Sequence, residues 1–210
     1  FSPCQAEGAV TVLNKAAAAG IPVVVIDTPM PASYTSGVTF IGSNNYQIGV
    51  LGAQAMLKAL PANAKVLLLE GAPGNVAMTE RTDGAEKTFK DAGMTIVSRQ
   101  PAYSDRERAY SITQNVLQTT ALDGVFAAND EQALGSYRAI NQAGKKAVVV
   151  GVDGNPDAKE SVDKGELFGT VAQSADQMGY LGVKYALDAV KGDKSIAKQI
   201  DAPTPVYMKK

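Results

Sequence analysis

The residues with the clearest chemical potential recur in one kind of place. Asp27 closes the run IPVVVID, Glu70 closes VLLLE, Asn129 and Asp130 follow VFAA, Asp153 closes VVVGVD and Gln173 closes GTVAQ. Each run is apolar and mostly β-branched, so each reads as a strand. Arg81 lies early in the helix that follows the GAPGN turn, within side-chain reach of the same edge. In an open parallel sheet, ligands bind outside the carboxyl ends of the strands. Carboxylates, amides and a guanidinium are planar groups that engage two partners at once, as vicinal hydroxyls offer. No cationic cluster accompanies them. The set suits a neutral polyhydroxy ligand better than a phosphate or a nucleotide.

Every position also has a plainer reading. Asp153 before Gly-Asn-Pro is a natural turn former. Asn129–Asp130 could cap the next helix. Asp27 could shape the turn at Thr-Pro, and Gln173 could cap Ser174 onward or face water. The weight lies in the recurrence, because sheet geometry brings strand ends together.

Composition removes most catalytic alternatives. The chain has 210 residues and no His, which excludes a Ser-His-Asp or Cys-His device and an imidazole base. One cysteine, Cys4, rules out an intrachain disulfide and thiolate zinc clusters, and reads as an incidental thiol. Twenty Lys and Arg against 21 Asp and Glu leave a net charge of −1, which argues against a nucleic-acid binder. GAPGN lacks the Gly-Lys-Ser/Thr of a phosphate loop. Asp27 with Asp153 could form a glycosidase acid–base pair, but neither has a desolvating aromatic beside it. No metal or cofactor is expected. No apolar run approaches membrane-spanning length.

The elements that must carry these residues alternate. Strands are expected at 21–28, 37–41, 65–70, 94–99, 122–128, 147–153, 167–173 and 205–209. Continuous apolar runs such as KVLLLE and AVVVGVD suit parallel strands buried on both faces. Helices are expected at 6–19, 46–60, 105–119, 130–143 and 175–191. Their apolar stripes (Ile48, Leu51 and Ala55; Ala109, Ile112 and Val116; Ala133, Tyr137 and Ile140; Met178, Leu181 and Tyr185) read as core packing. Strand–helix–strand repetition gives an α/β fold of Rossmann-like parallel sheets flanked by helices.

The chain resembles the periplasmic sugar-binding proteins of the ribose-binding type, which share their fold with LacI-type repressor cores. The resemblance rests on AAAAGIPVVVID, GSNNYQIGVLGAQ, GAPGNVAMTERTDGAEKTF, FAANDEQALGSYRAI, VVVGVDGNPDAKESVDKGEL and TVAQSADQMGYLGV, which follow the family's order over nearly the whole chain. It implies a type I periplasmic binding protein of two lobes that close on a sugar. Residue by residue, it implies ligand contacts at Asp27, Arg81, Asn129, Asp153 and Gln173. Thr28 stands where the ribose binders have Arg. Ser104 stands where they place an aromatic ring, with Tyr103 one residue before; Tyr103 completes the candidate set.

The family's opening βαβα stretch has no counterpart here, so the first lobe is expected to be incomplete. FSPCQAEG also lacks the features of a signal peptide. The implied division is 1–42 and 174–202 in the first lobe, with 43–173 and 203–210 in the second. Ser43, Ser174 and Pro203 mark the crossings. The missing strands would leave apolar edges of the first lobe unpaired.

The implied function is that of a periplasmic solute-binding protein of an ABC importer, a monomer that hands a monosaccharide or small polyol to a membrane permease without turnover. The alternatives are the effector-binding core of a LacI-type repressor and, from another class, a sugar-active α/β enzyme. On the first reading, Asp153→Ala weakens sugar binding by about 2–4 kcal/mol and changes stability little.

Overall fold

The computed structural model describes residues 1–3 and 6–209. Cys4 lies outside the described residues. In chain order the elements are α1 (Ala6–Ala18), β1 (Val24–Ile26), β2 (Thr39–Gly42), α2 (Asn45–Leu57), β3 (Lys65–Glu70), α3 (Val76–Asp91), β4 (Thr95–Pro101), α4 (Arg106–Thr119), β5 (Gly124–Ala127), α5 (Asp130–Gln142), β6 (Val148–Asp153), α6 (Pro156–Lys164), β7 (Gly169–Ala172), α7 (Ala175–Val190), β8 (Gln199–Asp201) and β9 (Val206–Met208). They fall into two compact units. The α/β class and the parallel strands are as expected.

The first unit, Phe1–Asn44 with Ser174–Pro203, holds a three-stranded parallel sheet in the order β1-β2-β8. Alternate residues of VVVI face opposite ways, as strand geometry requires. Val23 and Val25 pack with Ala9 and Leu13 of α1, while Val24 and Ile41 pack with Met178 of α7. Strand β1 is shorter than the apolar run that encodes it. Ile21 is exposed, and at Asp27 the chain turns left-handed (φ 68°). The backbone of Phe1 lies along β1, its amine donating to Val24 O and its carbonyl accepting from Ile26 N. Strand β8 has a half-polar sequence, Gln-Ile-Asp, and carries no apolar signal of its own; its pairing with β2 makes it a strand. The Ser174 hydroxyl donates to Pro203 O at 2.7 Å, tying the two ends of the returning segment together.

The second unit, Asn45–Gln173 with Thr204–Lys210, is built on a six-stranded sheet ordered β4-β3-β5-β6-β7-β9. All neighbours are parallel except β9, which runs antiparallel to β7. Two cores sandwich the sheet. One gathers Leu67, Leu69, Val125, Ala127 and Val149; the other gathers Val66, Leu68, Phe126, Val150 and Val152. Helices α2 and α3 touch backbone to backbone. A Cβ on Gly49 would lie 1.9 Å from Arg81 O, and one on Gly84 would lie 2.1 Å from Tyr46 O. Only glycine permits that approach, and it presses Arg81 against the start of α2.

Candidate functional site

The strand ends are where the backbone departs from ordinary geometry. Among the described residues, five that are not glycine have positive φ: Asp27 (68°), Asn63 (58°), Tyr103 (57°), Ser104 (59°) and Asp153 (117°). Asn63 sits in a turn before β3. The other four lie at or just beyond the carboxyl ends of β1, β4 and β6. Strained backbone persists only where its surroundings fix it, and it clusters at functional sites.

Unit 2 brings three of the candidate residues together. The carboxylate of Asp153 accepts at Oδ1 from Arg81 NH1 at 3.1 Å and from Gln173 Nε2 at 2.8 Å. Arg81 is 5% exposed, and each side of its guanidinium is held. NH1 also donates to Ala128 O at 2.9 Å, and Nε donates to Asn45 Oδ1 at 2.9 Å. One arginine from α3 thereby ties the ends of β5 and β6 to the start of α2. Asp153 keeps a quarter of its side-chain surface open. A charge-assisted pair that is buried on one side and open on the other is firmly aimed.

Asn129 is buried and caps α5, its Oδ1 accepting from Gln132 N at 3.0 Å. Its role as a helix cap is thus realised; it stands one residue beyond the carbonyl that Arg81 grips. Tyr103, beyond β4, is 46% exposed and stacks against Arg108, whose guanidinium carbon lies 4.4 Å from the ring centre. Beside it, Ser104 Oγ donates to Met78 Sδ at 3.2 Å. Asp27, in unit 1, is exposed; its Oδ2 accepts from Thr28 Oγ1 at 3.2 Å, and its backbone N–H donates to Ile41 O. Glu70 is committed elsewhere. It pairs with Arg99 of β4, which also binds Glu86 and Asp83. Burial works against the Arg99 charge, but these carboxylates outweigh it and hold the guanidinium pKa above its ordinary value.

Sequence reasoning passed over several polar residues. Asn45, at the first position of α2, orients Arg81. Gln132, fully buried, donates from Nε2 to Glu70 O at 2.7 Å. Thr170, inside β7, is buried and bonded to Asp130. The one available signal was the placement of such side chains at positions where an apolar stripe or strand would place none. Among the described residues, no three His, Cys, Asp or Glu side chains are grouped as metal ligands. Among the same described residues, no helix is long and apolar enough to cross a membrane.

Parallel sheets flanked by helices, with polar groups fixed at strand carboxyl ends, define an α/β ligand-binding protein. The chain belongs to the periplasmic binding protein domain family, which matches residues 1–194. It is 36% identical over 211 residues to the ribose import binding protein of Bacillus subtilis, covering 100% of this chain and 68% of that protein. Its fold is that of type I periplasmic binding proteins. An ABC transporter periplasmic solute-binding protein from Actinobacillus succinogenes, solved with D-allose, superposes with a TM-score of 0.93 at 29% identity, covering 99% of this chain and 76% of that one. A solute-binding protein from Bacillus halodurans with bound myo-inositol superposes at 0.88, also at 29% identity, covering 99% and 72%. The chain thus spans about two thirds of the length of its curated relative and three quarters of these structures.

Proposed function

We propose that this chain is the ligand-binding part of a periplasmic solute-binding protein that carries a neutral monosaccharide or cyclic polyol to an ABC importer, binding it reversibly and without turnover. The observation that carries this reading is the grip of Arg81 and Gln173 on Asp153 at the end of β6. A carboxylate aimed by a buried guanidinium and an amide can accept two hydroxyl protons, and its charge strengthens both bonds. Arg81, Asn129, Asp153 and Gln173 are the proposed contacts in unit 2, with Tyr103 as a flanking ring. Asp27 is the candidate in unit 1. The relatives support the ligand class, since their ligands are ribose, allose and myo-inositol, all uncharged polyols. The absence of histidine from the sequence supports binding without chemistry.

Titration calorimetry with D-ribose, D-allose, myo-inositol and their phosphate esters tests this reading, because a chain without Trp gives a weak fluorescence signal. Saturable binding of a neutral polyol, recovered unchanged, is the expected result. Preference for the phosphate esters, or chemical conversion of the sugar, would overturn the proposal.

A further inference from the structure

Asp130 is a buried carboxyl to which the proposed function gives no task. It is the first residue of α5 and has no exposed surface. Capping does not account for it, because Asn129 caps that helix. Its oxygens turn instead toward the neighbouring strands. Oδ2 accepts from the Asn155 amide at 2.7 Å, and Oδ1 accepts from the Thr170 hydroxyl at 2.7 Å. The Thr170 oxygen in turn accepts from the Gly154 amide at 3.1 Å. Two successive backbone amides, those directly after Asp153, are therefore anchored on one carboxylate, one directly and one through a hydroxyl.

The surroundings leave room for nothing else. A Cβ on Gly151, in the middle of β6, would lie 2.5 Å from Asp130 Oδ1. A Cβ on Gly154, at φ 73°, would lie 2.5 Å from the Ala172 Cβ. The glycine in VVVGVD makes space for the carboxyl, and the glycine in DGNP lets the turn close against β7. Asp153 itself is held at φ 117°, a conformation that a free chain would abandon.

We propose that Asp130 is a positioning residue for Asp153: by anchoring the amides of Gly154 and Asn155 it holds the strained strand end, and with it the ligand-binding carboxylate, in place. This inference rests on the reading of Asp153 as a ligand group. The donors around Asp130 match its ionised form, which only accepts hydrogen bonds, and the N-terminus of α5 favours a negative charge. Burial pushes its pKa up to about 7, opposed by the bonds from Thr170 and Asn155 and reinforced by the charge of Asp153. The other charged groups on the adjoining elements have partners of their own. Arg81 of α3 holds Asp153, Glu131 of α5 and Asp157 of α6 pair with Arg106, and Lys159 of α6 lies over Tyr207.

The test has a ligand-free arm and a ligand arm. In the unliganded chain, Asp130→Ala should speed hydrogen exchange at Gly154 and Asn155 at least tenfold and leave Leu68 unchanged. The amide shifts of Gly154 and Asn155 should titrate near pH 7 in the parent chain and lose that titration in Asp130→Asn. In the ligand arm, calorimetry with D-ribose and D-allose should show affinity falling at least tenfold in Asp130→Ala and in the same direction in Thr170→Val. Parent affinity should decline below pH 7, and Asp130→Asn should flatten that profile. Unchanged exchange at both amides overturns the anchoring. Altered exchange with affinity within twofold of the parent overturns the positioning role. Loss of protection at Leu68 as well marks a merely structural role and also overturns it. If the parent chain binds none of the polyols tested, the failure belongs to the proposed function, and the exchange arm alone decides whether Asp130 anchors the turn. Should Asp130→Ala fail to fold, Asp130→Asn and Thr170→Val carry both arms.

Discussion

Strands β1 and β6 end alike in sequence and are finished differently in space. Each is a valine-rich run closed by an aspartate with positive φ. In unit 2, Asp153 is locked by a buried arginine and an amide, and its turn is anchored on a second, buried aspartate. In unit 1, Asp27 is exposed and bonds the hydroxyl next to it. The contrast follows the cores beneath. Six strands with a core on each face can exclude water from Arg81, Asn129, Asp130 and Thr170. The three short strands of unit 1 leave Asp27 exposed. Helix α7 of unit 1 leaves Tyr180, Val183, Leu187 and Val190 more than half exposed along one stripe. A precise polar device needs a dry, rigid support, because a buried hydrogen bond holds its geometry only where water cannot compete.

Four measurements would break or sharpen this contrast, beginning with the largest effect. In native-state hydrogen exchange, amides of β3, β5 and β6 should exchange at least a thousandfold more slowly than those of β1, β2 and β8, a gap of about 4 kcal/mol. Equal protection in the two sheets would erase the distinction.

The pH dependence comes second. An unfolded aspartate titrates near pH ~3.9, whereas the Asp130 carboxyl in the fold titrates at about 7. Between these values the folded chain keeps a proton that the unfolded chain has released. Stability should therefore fall as pH rises from about 4 to about 7, by up to about 4 kcal/mol, and level off above. Urea denaturation across that range should show the decline in the parent chain and a shallower one in Asp130→Asn.

Third, Arg81→Met should lower stability by about 3 kcal/mol, since it takes the cation away from the Asp153 carboxylate and a donor away from Ala128 O and Asn45 Oδ1. Chemical denaturation measures this, and a loss below about 1 kcal/mol would show that the guanidinium is not a keystone.

The smallest effect separates the two aspartates. Asp27→Gly should leave stability within about 0.5 kcal/mol, because relief of the left-handed backbone offsets glycine's extra freedom when unfolded. Asp153→Gly should lose about 1–3 kcal/mol, because the buried Arg81 guanidinium then loses its carboxylate partner and Gln173 Nε2 loses the same acceptor. That loss exceeds what a strand-end position alone suggests, and the buried guanidinium is the cause. Paired thermal melts of the two variants would expose any error in this assignment of roles.

Residue type and period alone determined much of this protein. KVLLLE and AVVVGVD announce strands buried on both faces, because only a sheet covered on both sides rewards uninterrupted apolar side chains. The polar residue at the end of each such run was legible for the same reason: hydrophobic burial stops where the strand leaves the sheet. Motif order was enough to suggest the family. Tertiary structure alone decided which of those polar ends work together. Strand β8 exists through pairing with β2, and its sequence lacks a signal because a short edge segment draws its stability from its neighbour. Asn45, 36 residues before Arg81, orients it because glycines let two helices touch. Asp130 reads in sequence as part of a helix cap, yet it serves a turn 25 residues away. Hydrogen bonds between side chains distant in sequence leave no periodic trace, since they depend on where the chain returns and on which groups are shut away from water.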